Sequence, residues 1–346
     1  MRRLHGCCAA CWNNHRLNTE VAPLLEVRRL CVRYPLARTW PWQTTGEVRA
    51  VEEVNFNLRA GETLGIVGES GCGKSTLARA LVGLQPINAG AVQFEGRELS
   101  KLSTEDWLPL RRDVQMVFQD PQASLDPRMT IGRIIAEPLE ALCPELNADE
   151  RDARVLAMLE RVGLSPAHIN RYPHEFSGGQ CQRVGIARAL VVRPKLLICD
   201  EPVSALDVSV QAQIINLLSG LQKEYGLAMI FIAHDLAVVR HISHRVLVMY
   251  LGRVMEQASR DDLFASPAHP YTKALLSSVP VADPSKVSDK KRQVLEGEIP
   301  NPSNPPPGCV FATRCPMADE HCSRRAPHVQ RMKSGTVVAC HYVDAA

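Results

Sequence analysis

The stretch GESGCGKST, residues 68–76, constrains this chain more than any other. It fits the spacing G-x-x-x-x-G-K-[ST]. A short apolar run, residues 62–67 (ETLGIV), leads into it. The following STLARALVGL puts Leu77 and Leu81 on one helical face, with Gly83 to end the helix. Strand, glycine loop and helix in that order make a phosphate-binding unit. The glycines let backbone N–H groups curl around phosphate oxygens without a Cβ in the way. The helix aims its N-terminus at the same anion. Lys74 is spaced to reach β- and γ-phosphates, and the Ser75 hydroxyl to bind Mg²⁺. Gly68, Ser70, Gly71, Gly73, Lys74, Ser75 and Thr76 are therefore the candidate residues for ATP and its metal ion.

A second apolar run, residues 196–201 (LLICDE), ends in two carboxylates. Asp200 suits Mg²⁺, usually through water, and Glu201 suits a general base on the attacking water. Alone, such a pair is most often a solvated strand end; the glycine loop upstream favours the functional reading. Residues 177–180 (SGGQ) precede a helical run and form another helix start able to meet an anion. Residues 196–199, 229–233 and 246–250 are apolar runs bounded by polar sequence. They suit central strands covered on both faces. Residues 24–60 alternate as strands do, and residues 150–163 are helical. Strands alternating with helices imply an α/β core. Residues 297–308 are proline-rich and mark a linker or extended arm.

The order of glycine loop, SGGQ, LLICDE and a histidine after a strand resembles the ABC ATPase family. That resemblance implies a P-loop core with an antiparallel β-subdomain, a helical subdomain near residues 120–185 and a small cysteine-containing C-terminal extension. It implies head-to-tail dimers that sandwich two ATPs between the glycine loop of one chain and the SGGQ of the other. Ser177, Gly178, Gly179 and Gln180 would then serve the partner's nucleotide. Gln119, in VFQDP, matches the glutamine that approaches Mg²⁺ and links to the membrane subunits. Asp207, in SALD, matches the loop that crosses the dimer interface. His234, in IFIAHD, matches the histidine at the γ-phosphate, although a lone histidine after a strand is more often structural. Tyr34 matches the aromatic that stacks on adenine, although an early aromatic is more often core and Trp40 and Trp42 lie nearby. Cys72 and Cys181 read as gap fillers, with helix N-termini expected to lower their pKa and make them sensitive to thiol reagents.

The resemblance continues past the core. HPYTKALL from His269, EGEIP, and GCVFATRCP from Gly308 look like the C-terminal region of peptide and nickel importer ATPases. RYPHEFSGGQCQR, EPVSALDVSVQAQ, FIAHDLAVVRHIS and the WPWQ insertion bring the match closest to the ATPases of oligopeptide permeases, with dipeptide or nickel importers as the alternative. It runs from about residue 24 to 343. The expected division is a leader over 1–20, disordered or a mis-assigned start, an ATPase domain over 21–265 and an extension over 266–346. The implied partners are a sister ATPase, two integral membrane permease subunits and an extracytoplasmic peptide-binding protein. The implied place is peripheral, on the cytoplasmic face of a bacterial inner membrane. A membrane-subunit helix would dock near Gln119 and the helical segment after it.

Four of the 12 cysteines, Cys309, Cys315, Cys322 and Cys340, follow the spacing C-x5-C-x6-C-x17-C. By spacing alone, free thiols, zinc and iron–sulfur are equally open. The resemblance favours a [4Fe–4S] cluster, with zinc as the alternative and His321 and His341 as substitute ligands. A disulfide scaffold does not suit a chain of 346 residues with a nucleotide loop. The net charge of +3 and 5% aromatic content give no support to nucleic-acid binding by a basic or base-stacking surface. No run approaches the ~20 apolar residues of a membrane span. A soluble ABC ATPase of ribosomes or DNA usually carries two nucleotide domains or a long coiled-coil insertion, and one SGGQ is present here. The cysteine region argues against an export or lipid-handling ATPase.

Overall fold

The computed structural model describes residues 22–36, 46–278 and 295–343. The expected leader and the Trp40 and Trp42 segment lie outside these residues.

Alternation along the central strands explains the layers. In β3 (Thr63–Val67), β7 (Leu196–Asp200), β8 (Ala228–Ala233) and β9 (Arg245–Tyr250), successive side chains leave on opposite faces. Leu64, Ile66, Leu196, Ile198, Ile230, Ile232, Leu247 and Met249 fill one apolar core. Val67, Leu197, Cys199, Met229, Phe231, Val246 and Val248 fill a second. Both faces are covered, so the strands read as continuous apolar runs. These strands and β6 (Val114–Val117) are parallel, in the order β9-β3-β8-β7-β6. The three apolar runs singled out in the sequence are β7, β8 and β9.

On one face lies a four-stranded antiparallel sheet, β2-β1-β4-β5, from β1 (Leu25–Pro35), β2 (Glu47–Leu58), β4 (Ala89–Phe94) and β5 (Arg97–Glu98). Helix α1 (Lys74–Leu81) buries Leu77 and Leu81 with it, and a two-turn helix this short depends on that packing. A four-residue helix, α2 (Thr104–Trp107), precedes β6. Helices α3 (Ile131–Leu142), α4 (Ala148–Arg161) and α5 (Gly178–Leu190) join the second core. Asn147 with Glu150, and Ser177 with Gln180, start α4 and α5 as reciprocal capping boxes. Helices α6 (Val208–Tyr225) and α7 (Leu236–Ile242) follow β7 and β8.

The C-terminal segment returns to the main sheet. Strand β10 (Arg253–Ser259) pairs antiparallel with β9, and β12 (Val337–Ala339) pairs with β10. Strand β11 (Val329–Arg331) closes that edge. Helices α8 (Arg260–Ala265), α9 (Pro270–Ser277) and α10 (Glu320–Arg324) complete the segment. Glu256 fastens it. Its buried carboxylate accepts from the Ala268 and His269 amides at 2.8 and 2.9 Å, just ahead of α9. Tyr250, Tyr271 and Phe311 form a ring cluster with centroids 4.8–5.3 Å apart, tying β9, α9 and the 309–315 stretch into one core.

Candidate nucleotide-binding site

The end of β3 delivers residues 68–76 to the mouth of a cleft of about 320 Å³. Ser70, Gly71, Gly73, Lys74, Ser75 and Thr76 line it, with Tyr34 from β1, Gln119 after β6 and Glu201 after β7. These come from four separate elements. Parallel strands place their C-terminal ends on one side, which is why β3, β6 and β7 deliver to the same place.

Gly73 shows why this loop needs glycine. Its φ is +103°, and a Cβ there would sit 2.0 Å from the Ala50 carbonyl oxygen. The buried Lys74 Nζ donates to the Gly68 and Glu69 carbonyls at 2.8 and 3.1 Å, folding the loop around its own ammonium. Ser75 Oγ donates to Asp200 Oδ1 at 2.9 Å. Burial raises the Asp200 pKa. The Ser75 hydrogen bond opposes that rise, and the neighbouring Glu201 charge adds to it. A buried carboxylate beside a hydroxyl is a hard oxygen pair, and it fits Mg²⁺.

Glu201 is the meeting point. It sits at φ +46°, in the left-handed region a non-glycine residue seldom visits. Its carboxylate accepts from Gln119 Nε2 at 2.9 Å. It stands 3.8 Å from Lys74 Nζ and 4.0 Å from His234 Nδ1. His234 is largely exposed, with 59% of its side-chain surface open.

The remaining candidates lie elsewhere. Ser177, Gly178, Gly179, Gln180 and Asp207 do not line the cleft. They gather on a second surface, where Gly178 faces Leu206 and a Cβ on Gly179 would come 2.5 Å from Val210 Cγ1. The Ser177 hydroxyl caps α5 by accepting from the Gln180 amide at 3.4 Å. The sequence reading missed Arg49, Gly252 and Pro302, which also wall the cleft. Only the proline-rich composition around Pro302 signalled an extended arm, and nothing in it pointed to this cleft.

The expected activation of Cys72 and Cys181 is corrected. Burial raises both thiol pKa values, and at Cys72 the Lys74 charge only partly opposes it. Their 5% and 0% exposure leaves little for a reagent to reach.

The cysteine tail also departs from expectation. Cys309, Cys315, Cys322 and Cys340 are free thiols. Burial raises the pKa of Cys309, Cys315 and Cys322, taking Cys309 to about 11, and the neighbouring thiols add to the rise. Yet among the described residues no group of three or more His, Cys, Asp or Glu side chains is spaced to hold a metal ion. The four thiols share a neighbourhood without liganding geometry, so neither the iron–sulfur cluster nor zinc is supported as the residues stand.

A glycine loop, a half-buried Ser–Asp pair and a carboxylate held by an amide define a P-loop nucleotide-hydrolysing cassette. The comparisons narrow this. The ABC transporter family matches residues 51–204, and the oligopeptide/dipeptide transporter C-terminal region matches residues 255–322. The chain is 58% identical over 323 residues to the oligopeptide transport ATP-binding protein OppF of Salmonella typhimurium, covering 93% of this chain and 96% of that one. It is 57% identical over 306 residues to OppF of Escherichia coli, covering 88% and 92%. Among solved structures, the dimeric post-hydrolysis state of the ATP-binding cassette MJ0796 bound to ADP and Pi is 29% identical with TM-score 0.61. It covers 68% of this chain and 98% of that one. The chain belongs to the ABC transporter ATPases, in the branch that carries the oligopeptide/dipeptide C-terminal region.

Proposed function

We propose that this chain hydrolyses ATP to power import of oligopeptides through a membrane ABC transporter, pairing with a sister ATPase. The Glu201 carboxylate carries the reading. It is held by Gln119 and flanked by Lys74 and His234 in the cleft that the glycine loop opens. Lys74 and the loop amides bind the phosphates, and Tyr34 stacks on the adenine. Ser75 and Asp200 would hold Mg²⁺ with Gln119 nearby, and the ion would supply positive charge against the phosphates. Glu201 takes a proton from the attacking water as its oxygen bonds to the γ-phosphorus, and ADP leaves. His234 contacts the γ-phosphate. Ser177, Gly178, Gly179, Gln180 and Asp207 lie apart from this cleft, which supports a site completed across two chains.

ATP binding then closes the dimer and hydrolysis reopens it, and the membrane subunits follow. Among the described residues no helix is long and apolar enough to cross a membrane. That agrees with a peripheral subunit on the inner-membrane face, docked through the surface near Gln119 on two permease subunits served by an outer peptide-binding protein. Detergent-solubilised membranes should yield this chain with two integral subunits and a sister ATPase, and in vesicles the complex should turn over ATP faster with the loaded binding protein. Stimulation by dipeptides or nickel alone would move the assignment to those importers. Recovery on ribosomes would remove it.

We propose a [4Fe–4S] site at the four cysteines, with zinc second, on the likeness of this segment to the oligopeptide/dipeptide transporter C-terminal region alone, since the thiols stand without liganding geometry. Metal binding would have to draw them together and order the segment. Protein purified without oxygen should be brown and absorb near ~400 nm. Colourless, metal-free protein would end the proposal.

A further inference from the structure

The phosphate loop carries a carboxylate of its own. Glu69 follows the first glycine, in a loop whose work is to hold polyanionic phosphate. An uncompensated anion there opposes binding. The structure shows what offsets it. Arg314 Nη1 donates to Glu69 Oε2 at 2.7 Å, and the arginine side chain is only 8% exposed. The guanidinium also lies over the Tyr250 ring, 6.0 Å from its centroid. Glu69 is gripped a second time, where its amide N–H donates to the Tyr271 hydroxyl at 3.0 Å. Both partners come from the C-terminal segment, 202 and 245 residues away in sequence. Tyr271 is fully buried in the ring cluster, so the grip on the loop is anchored in the core.

We propose that Arg314 is a positioning residue of the nucleotide site, neutralising Glu69 so that the phosphate loop accepts ATP only when the C-terminal segment is docked. This rests on the ATPase reading and deepens it. Glu69 acts as a built-in anionic competitor, and the segment around Arg314 switches it off. A packing role alone would make Arg314 matter for stability and leave nucleotide affinity, and its salt dependence, unchanged.

The test uses the full chain with Mg-ATP and with ADP, in the parent and in Arg314→Gln, Arg314→Lys, Glu69→Gln and the Glu69→Gln/Arg314→Gln double variant. Arg314→Gln should weaken nucleotide binding about 5–50-fold, in the usual range for coupling between distinct sites. The kcat at saturating ATP should change by less than about two-fold, since the interaction lost is common to ground and transition states. The defect should shrink as salt is raised. Arg314→Lys should recover part of the affinity. The double variant should return to within about two-fold of the parent, because the unpaired carboxylate has gone. Glu69→Gln alone should bind nucleotide as well as the parent or better. Should Arg314→Gln fail to fold, Glu69→Gln decides, and weaker binding in it overturns the proposal. Unchanged affinity in a folded Arg314→Gln, or a double variant worse than either single, also overturns it. Parent protein that binds no nucleotide would defeat the ATPase reading and this inference together; parent binding with an indifferent Arg314 defeats the inference alone.

Discussion

Replacing Glu201 with glutamine tests the chemistry most directly. The exchange is nearly isosteric. One carboxylate oxygen survives as an amide oxygen, able to accept from Gln119 Nε2 as Oε2 does at 2.9 Å. The left-handed backbone at φ +46° is no worse for glutamine than for glutamate. The fold and cleft should therefore persist. The change removes an anion 3.8 Å from Lys74 Nζ, so ATP binding should hold or tighten, as the ammonium is left to the phosphates alone. It also removes the proposed proton acceptor. General-base catalysis contributes about 10²–10⁴-fold, which at ~1.36 kcal/mol per decade is about 2.7–5.4 kcal/mol of barrier. Phosphate release at saturating Mg-ATP should fall by that factor with the ATP dissociation constant within about three-fold of the parent. Turnover close to the parent's would take the role of base away from Glu201. An equal loss in affinity and rate would mean that the substitution had damaged the loop instead.

Lys74→Ala leaves the Gly68 and Glu69 carbonyls without their ammonium partner and removes the loop's buried charge; ATP affinity, read by titration with a fluorescent analogue, should fall more than ten-fold. Gly73→Ala puts a Cβ 2.0 Å from the Ala50 carbonyl at φ +103°; denaturant unfolding should show a loss of about 2–4 kcal/mol, and full stability would mean that the loop yields. His269 caps α9 by accepting from the Tyr271 amide at 3.0 Å. Burial lowers its pKa from 6.5 to about 4. With the folded pKa below the unfolded one, its contribution is fully present above pH ~6.5 and is lost as pH falls through about 4. At ~1.36 kcal/mol per unit the swing is about 3 kcal/mol. His269→Asn keeps an acceptor at the cap and should flatten that part of the stability–pH curve; an unchanged slope would assign it to other groups.

The sequence made the chemistry legible and left the assembly hidden. The glycine loop, the Asp200–Glu201 pair and the apolar runs of β7, β8 and β9 are local signals, fixed by spacing and by burial on both faces. That Tyr34 reaches the cleft follows from the pairing of β1 with β2, which no local pattern encodes. Pro302 and Arg314 were invisible as nucleotide-site residues because their meaning depends on where the C-terminal segment returns, through the pairing of β12 with β10. The thiols at Cys72 and Cys181 were misread because a helix start argues for a lowered pKa while burial, which a sequence does not display, argues the other way and wins.

The strand order bears on how the chain is made. Strand β3 lies between β8 and β9, and their residues follow it by about 160 or more positions. At ~5–20 residues per second, β3 and the loop after it leave the ribosome some ~8–30 s before either neighbour exists. For that interval a five-residue apolar strand has two open edges, the condition that invites wrong pairing. Arg314 arrives later again, so a nascent chain carries the sequence of an ATP site long before it has the site. Full affinity for nucleotide therefore waits on a residue 245 positions after Glu69, and a nascent chain stalled ahead of Arg314 should bind ATP more weakly than the released protein.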